Sequence, residues 1–151
     1  MRGTITIRYV RPVALFIALL LLTACTSTSS IEFIEGGTRF TPTELDSHVS
    51  AFDAPDLVGV DVDQAAALRR ERLADLRAQG DEAAALADKL TEQSTKDTRA
   101  VPYYAESAFE DDRAVWIVLE MFGPEGGALD ATRLWVLDRE TGSVVRSTSF
   151  R

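Results

Sequence analysis

Cysteine is almost absent from this chain, since Cys25 is the only one among 151 residues. A single cysteine forms no disulfide within the chain and supplies no multi-cysteine zinc site. Histidine is equally scarce. His48 is the only one, which excludes any site that needs two imidazoles. The folded part must therefore be stabilised by packing, and we predict that it binds neither a metal nor a cofactor.

Positive charge is also in short supply. The chain has 16 lysines and arginines against 24 acids, for a formal net charge of −8. Arg2, Arg8 and Arg11 all precede residue 25, so the remainder has 13 basic side chains against the same 24 acids, a net charge of −11. Because nucleic acids are bound by basic surfaces, we predict no nucleic-acid partner.

The longest apolar run has only ten residues, Val13–Leu22. At 1.5 Å per residue a helix of that length covers about 15 Å, half of the roughly 30 Å hydrocarbon core, so it is too short for a permanent span. The run follows three arginines and precedes small residues. This order of positive, apolar and small residues is typical of a secretory signal peptide.

The four residues Leu22-Thr23-Ala24-Cys25 resemble the lipobox of bacterial lipoproteins. The resemblance implies cleavage before Cys25, a diacylglycerol thioether on its sulfur, and acylation of the new amino group, for example with palmitate. Two acyl chains anchor a protein stably, whereas one binds reversibly. The alternative is an ordinary signal peptide that ends near a cysteine.

The lipobox sets the expected domain organisation. We predict a cleaved signal peptide at 1–24, a lipidated cysteine and polar tether at 25–30, and one small α+β domain over 31–151. The partner implied for Cys25 is the lipid bilayer, on its extracytoplasmic side. That membrane is the plasma membrane, or the outer membrane in a Gram-negative cell, and the sequence leaves this choice open.

Apolar residues at intervals of three and four predict helices in the first half of the domain. A short helix is expected to open at Thr43, which can cap it, with Pro42 just outside the helix. Its apolar stripe is formed by Leu45, His48, Val49 and Phe52. A longer helical region covers 64–93. Glycine is unfavourable inside a helix and favoured just after one, so Gly80 favours two helices, 64–79 and 82–93, over one continuous rod.

After residue 99 the apolar period changes to two, which is typical of strands. We predict four strands in a meander, over 101–109, 113–122, 132–138 and 144–150. Pro102 lacks an amide hydrogen and predicts an edge position for the first of them. Near the start of the domain, two short runs around Gly36-Gly37 predict a small hairpin or a loop. The expected fold is α+β, with a C-terminal four-stranded antiparallel sheet packed against one or two helices.

The last hairpin resembles one found in several small secreted domains. The run from Leu134 to Val145 has the strand, Asp-x-x-Thr-Gly turn and strand of those hairpins, including ones in domains similar to PepSY. Turn chemistry alone accounts for the pattern. The domain as a whole resembles no family that we can name.

The sequence holds few candidates for catalysis. His48 could serve as a general base or a metal ligand, or it could be a half-buried helix residue that packs its ring. The acids offer many possible carboxylate pairs but no patterned motif, and neither Gly-x-Ser-x-Gly nor His-Glu-x-x-His occurs. We therefore predict that the protein is not an enzyme.

Aromatic residues supply the candidate binding surface. Tyr103, Tyr104, Trp116 and Trp135 all lie on the predicted sheet, and the two indoles occupy adjacent strands. They could form a ligand or partner surface, or they could be core beneath the helices. We predict a non-catalytic binding or accessory module of the cell envelope, with an envelope protein or glycan as partner. The alternatives are an envelope hydrolase that uses carboxylates or His48, and a structural subunit of an envelope assembly.

Overall fold

A mixed five-stranded sheet and three helices form the α+β fold of the computed structural model, which describes residues 30–93 and 99–151. The strand order is β1-β2-β3-β4-β5. β1 runs parallel to β2, and the other neighbours are antiparallel. In chain order the elements are β1 (Phe33–Phe40), α1 (Pro42–Val49), α2 (Val62–Arg77), α3 (Asp81–Gln93), β2 (Val101–Glu110), β3 (Arg113–Phe122), β4 (Ala131–Asp138) and β5 (Val144–Phe150).

The expected four-stranded antiparallel sheet is wrong in strand number and in one strand direction. The segment predicted as a hairpin or loop is the single strand β1, in which Gly36 and Gly37 fall at a register shift between Glu35 and Arg39. A Cβ on Gly36 would lie 2.7 Å from the Ser107 carbonyl oxygen. Gly36 thus serves a close approach of two strands and not a turn.

Pro102 also lies elsewhere than predicted. β2 is an interior strand between β1 and β3, not an edge strand. β1 pairs with β2 only from Ala105 onward, so the first residues of β2 have no neighbour on that side. A proline is tolerated there because no partner strand needs its missing amide. Pro102 also borders a register shift before Tyr104 in the pairing with β3.

The helices follow their sequence signals closely. α2 and α3 are separate, as predicted, and Gly80 between them has a φ of +119°, which favours glycine. The short helix is not capped by Thr43 as predicted, and Pro42 is its first residue. Its cap is Thr41, which accepts from the Glu44 amide, while the Glu44 carboxylate accepts from the Thr41 amide in a capping box. No helix within 30–93 or 99–151 has the length and apolarity needed to cross a membrane.

The two faces of the sheet have different covers. α2 and α3 pack on one face, here called the helix-pair face, through residues such as Leu76 and Leu86 against Trp116 and Val118. The short helix α1 packs on the other, the α1 face, through Leu45 and Val49. On that face lie Tyr104, Ile117, Leu119, Leu134 and Val136. β3 is thus covered on both sides, as its doubly apolar pattern predicts.

A buried ion pair joins the helix-pair face to α2. Arg69 Nη1 lies 2.5 Å from Glu120 Oε1, and the two residues are 4% and 3% exposed. Arg69 also donates to the carbonyl oxygens of Leu90 and Ala100, at 3.0 and 2.9 Å. The second carboxylate oxygen of Glu120 accepts from the indole of Trp135 at 2.8 Å. These bonds satisfy two charges that would otherwise be costly to bury.

Candidate functional site

The four aromatic residues that the sequence singles out lie on two different faces. Trp116 and Trp135 are on the helix-pair face, where Val118 of β3 pairs with Trp135 of β4. Trp116 is only 4% exposed, and its indole donates to Glu82 at 3.1 Å. Trp135 is half-buried and bonded to Glu120. Both indoles therefore contribute their area and their N–H groups to internal packing.

Tyr103 and Tyr104 lie on the opposite, α1 face. Two consecutive strand residues normally point to opposite faces, but the register shift between Pro102 and Tyr104 breaks that alternation. Tyr104 packs among the residues under α1, and Tyr103 is half-buried beside it. The tyrosine pair, unlike the tryptophan pair, thus reaches the less covered side of the sheet.

Tyr103 lines the cleft of the α1 face, a cavity of about 470 Å³ at the end of the sheet where β2 begins and β5 ends. One wall comes from the segment that follows α1, and the other comes from β3, β4 and β5. The apolar lining includes Phe52, Pro55, Val58, Tyr103, Met121 and Phe150. Val58 and Phe150 are among the few large apolar residues that are exposed. A concave site with this volume and lining is of the kind that binds ligands or side chains.

The rim of the cleft carries charge. Asp53 and Asp130 contribute carboxylates, and Arg151 contributes a guanidinium. Within the described part of the chain, the side chains of these three residues form no hydrogen bond or ion pair. Charged groups that are not used internally are free to pair with a ligand, and two carboxylates against one guanidinium favour a basic one.

Tyr103 gives the cleft a polar group inside its apolar lining. Burial raises the pKa of its phenol, and the nearby Asp53 carboxylate adds to the rise, while a hydrogen bond with Thr132 at 3.5 Å opposes it. The phenol therefore stays protonated at neutral pH and can donate or accept a hydrogen bond. Thr132 in turn donates to the sulfur of Met121 at 3.4 Å.

His48 belongs to a three-residue network that borders the cleft. Its Nε2 lies 3.0 Å from Glu106 Oε2, and the Tyr104 hydroxyl donates to the same oxygen at 2.5 Å. The histidine ring packs between Phe40 and Phe52, at centroid distances of 4.6 and 5.2 Å. Sequence reasoning could not find this network, because 56 and 58 positions separate His48 from its two partners.

The network fixes α1 and the near wall of the cleft to the sheet. Burial, then the hydrogen bond and negative charge of Glu106, hold the pKa of the Tyr104 phenol far above its ordinary value. The phenol is thus a permanent donor to a buried carboxylate. Phe52 packs on the Tyr104 ring at a centroid distance of 4.0 Å and also lines the cleft. The network therefore holds the Phe52 ring in position on the wall of the cleft.

The part of the chain that the structure covers contains no cluster of side chains that could bind a metal ion. Across residues 30–93 and 99–151, no three His, Cys, Asp or Glu side chains converge in a way that could hold an ion. The predicted lipidation site, Cys25, lies outside the described residues, as do the signal peptide at 1–24 and most of the tether.

Comparison of the chain with protein-family models, curated proteins and solved structures finds no match. The fold and the site define it structurally. It is an α+β domain with a mixed five-stranded sheet and a charged-rim apolar cleft on the face opposite its helix pair.

Proposed function

We propose that this protein is a lipid-anchored, non-catalytic accessory module of the cell envelope, and that the cleft on the α1 face binds its partner, an envelope protein or glycan. The observation that carries the proposal is the cleft itself. It combines an apolar lining, a tyrosine hydroxyl and three charged side chains that form no bonds within the described residues. A bound partner would cover the apolar lining, form a hydrogen bond with the tyrosine hydroxyl and pair with the charged side chains.

The predicted location of the protein at a membrane supports an envelope partner. The lipobox resemblance implies acyl chains on Cys25, and the tether at 26–30 spans at most about 17 Å when extended. A domain held that close to a bilayer meets other envelope components at high effective concentration. Its net charge of −11 from Cys25 onward also keeps it off anionic lipid, so the cleft stays available to a partner.

The setting of His48 supports a non-catalytic role. Its Nε2 is engaged by Glu106 and Tyr104, and its ring is flanked by two phenylalanines. The hydroxyl bonded to it is the Tyr104 phenol, which is poorly suited to be a nucleophile because its pKa is raised. Used in this way, His48 joins α1 to the sheet through Glu106 and Tyr104.

The anchor is tested by replacing Cys25 with serine. We expect the C25S variant to lose metabolic palmitate labelling completely and to move from the membrane pellet to the soluble fraction, because serine offers no thiol for the diacylglycerol. Ser27→Ala, which leaves the four-residue box intact, is the control and should label normally. Labelling and sedimentation of C25S at the level of the parent would overturn the anchor.

The cleft is tested by site-specific photo-crosslinking in living cells. We expect benzoylphenylalanine at Val58, which is 64% exposed on the cleft wall, to give a discrete higher-mass adduct. The same probe at Ile34, an exposed position on β1, is the matched control and should give none. Equal adducts at both positions, or an adduct at Ile34 alone, would contradict the placement of the partner in the cleft.

A further inference from the structure

The two edges of the sheet differ in how well they could accept another strand. β1 forms one edge, and its ladder is interrupted by the register shift at Gly36 and Gly37. β5 forms the other, and its pairing with β4 is regular from Arg146 to Phe150. A regular, exposed edge is a template for strand addition unless it is blocked by proline, bulges or several charges. Over this stretch β5 has no proline and one charged residue.

The backbone groups of β5 that face outward can be assigned. The Asp138 amide donates to the Ser143 carbonyl across the hairpin, and the next amide, that of Arg139, donates to β3 instead. Along a strand with antiparallel neighbours on both sides, successive residues bond alternately to one neighbouring strand and to the other. The even-numbered residues of β4 therefore bond β5, and the odd-numbered ones bond β3. The residues of β5 that bond β4 are then those paired as Val136↔Arg146, Leu134↔Thr148 and Thr132↔Phe150. The amides and carbonyls of Ser147 and Ser149 accordingly lie along the outer edge.

The outer edge of β5 leads directly into the cleft. Phe150 pairs with Thr132 on the α1 face, and both residues line the cavity. A residue of an added strand that sits opposite Phe150 would share its face, because paired residues point to the same side of a sheet. Main-chain bonds to an edge give affinity in strand addition, and pockets for alternate side chains give specificity. β5 and the cleft offer both.

We propose that the outer edge of β5 accepts an extended segment of an envelope protein as a sixth strand, with an apolar side chain beside Phe150 in the cleft and a basic residue facing Asp53 and Asp130. This inference rests on the proposed function, and it selects protein over glycan. Arg146, the one charge on this stretch, already pairs with Asp46 and Glu110 at 2.7 and 3.0 Å. The two rim carboxylates are therefore the groups left to select a basic residue.

The experiment begins with the full chain in detergent, used to select binders from a library of random twelve-residue peptides. We expect enriched peptides to alternate apolar residues and to carry a lysine or arginine. An enriched peptide, labelled with fluorescein, should bind Ser147→Pro about fivefold more weakly than the parent. Proline removes an outward amide there without breaking a bond to β4, and one hydrogen bond is worth about 1 kcal/mol. Ser147→Thr keeps the amide and should bind as the parent does.

Amide hydrogen exchange keeps the test decisive if the proline variant folds poorly. In the peptide complex of the unaltered chain, exchange at Ser147 and Ser149 should slow, while that at Arg146 and Thr148 should be slow with or without peptide. Replacing the peptide's basic residue by norleucine should cost about two- to fivefold against the parent, as expected of an exposed ion pair. It should cost nothing against the double variant Asp53→Asn/Asp130→Asn, which has neither rim carboxylate.

The results that would contradict strand addition at β5 differ from those that would contradict partner binding in the cleft. Peptides that bind Ser147→Pro as well as the parent but lose binding to Tyr103→Ala would overturn strand addition and leave the cleft as the site. A glycan-array probe that binds in a Tyr103-dependent way, with no peptide enriched, would overturn the inference and favour a glycan partner. Peptide binding that Tyr103→Ala and Ser147→Pro both leave unchanged would count against the edge and the cleft together.

Discussion

Replacing Glu120 with alanine is expected to lower the free energy of unfolding by about 3–5 kcal/mol, the usual cost of removing one partner from a buried ion pair. The variant leaves the guanidinium of Arg69, itself 4% exposed, without its carboxylate. It also removes the acceptor of the Trp135 indole. A buried guanidinium and a half-buried indole therefore lose a partner at once.

Urea denaturation followed by tryptophan fluorescence measures the loss. Asp88→Ala is the matched control, because Asp88 forms an ion pair of similar length with Arg77, at 2.9 Å, on the exposed side of the helices. That change should cost less than about 1 kcal/mol. Glu120→Gln keeps the volume and one acceptor and should fall between the two. A loss below about 1 kcal/mol for Glu120→Ala would mean that the pair contributes no more than a surface pair does.

Gly123→Ala is expected to cost about 3 kcal/mol, the upper end of the usual penalty for overpacking. A Cβ at this position would lie 2.0 Å from the Ala128 carbonyl oxygen and 3.1 Å from Val62 Cγ2. Neither the strand end nor the loop can move away freely, because the Asp130 amide donates to the Phe122 carbonyl at 3.1 Å across the same loop. The added methyl group must displace the loop, and Asp130 moves with it.

Thermal unfolding of Gly123→Ala is best compared with that of Gly37→Ala. Gly37 has no atom within 4 Å of the position that a Cβ would occupy, so alanine there should change the free energy of unfolding by less than about 1 kcal/mol. Similar melting temperatures for the two variants would contradict the close approach at Gly123. If the loop shifts as expected, the crosslink at Val58 should also weaken, since Asp130 borders the same cleft.

The helices and the last four strands could be predicted because their signals are local. The periodicity of the apolar residues lies within each helix or strand. The turn signals, such as Gly80 and the Asp138–Gly142 turn, lie directly beside the elements that they separate. β1 could not be predicted as a strand of the main sheet, because its partner begins at Val101 and a parallel pair has no connecting turn to mark it. In the sequence, Gly36 indicates a turn. In the structure it is required because a Cβ there would lie too close to the Ser107 carbonyl of β2.

The candidate site could be predicted only in part, for a similar reason. The sequence correctly places the four aromatic residues on the sheet and the two tryptophans on adjacent strands. Strict alternation would separate Tyr103 from Tyr104, and the register shift beside Pro102 is what brings them to the same face. The acidic rim joins Asp53 and Asp130 from distant segments. No spacing rule relates such residues, so the cleft becomes visible only once the chain is folded.

The parallel pairing of β1 has a consequence for the order in which the domain assembles. Phe33 pairs with Ala105, 72 positions further along the chain, whereas β2 to β5 are joined by short turns. Contacts that close long loops form slowly, and local hairpins form first. We therefore expect β1 to dock last. If residue 25 carries the anchor, β1 is the first strand to cross the plasma membrane and the last to join the sheet, so its apolar side chains need shielding until β2 has formed.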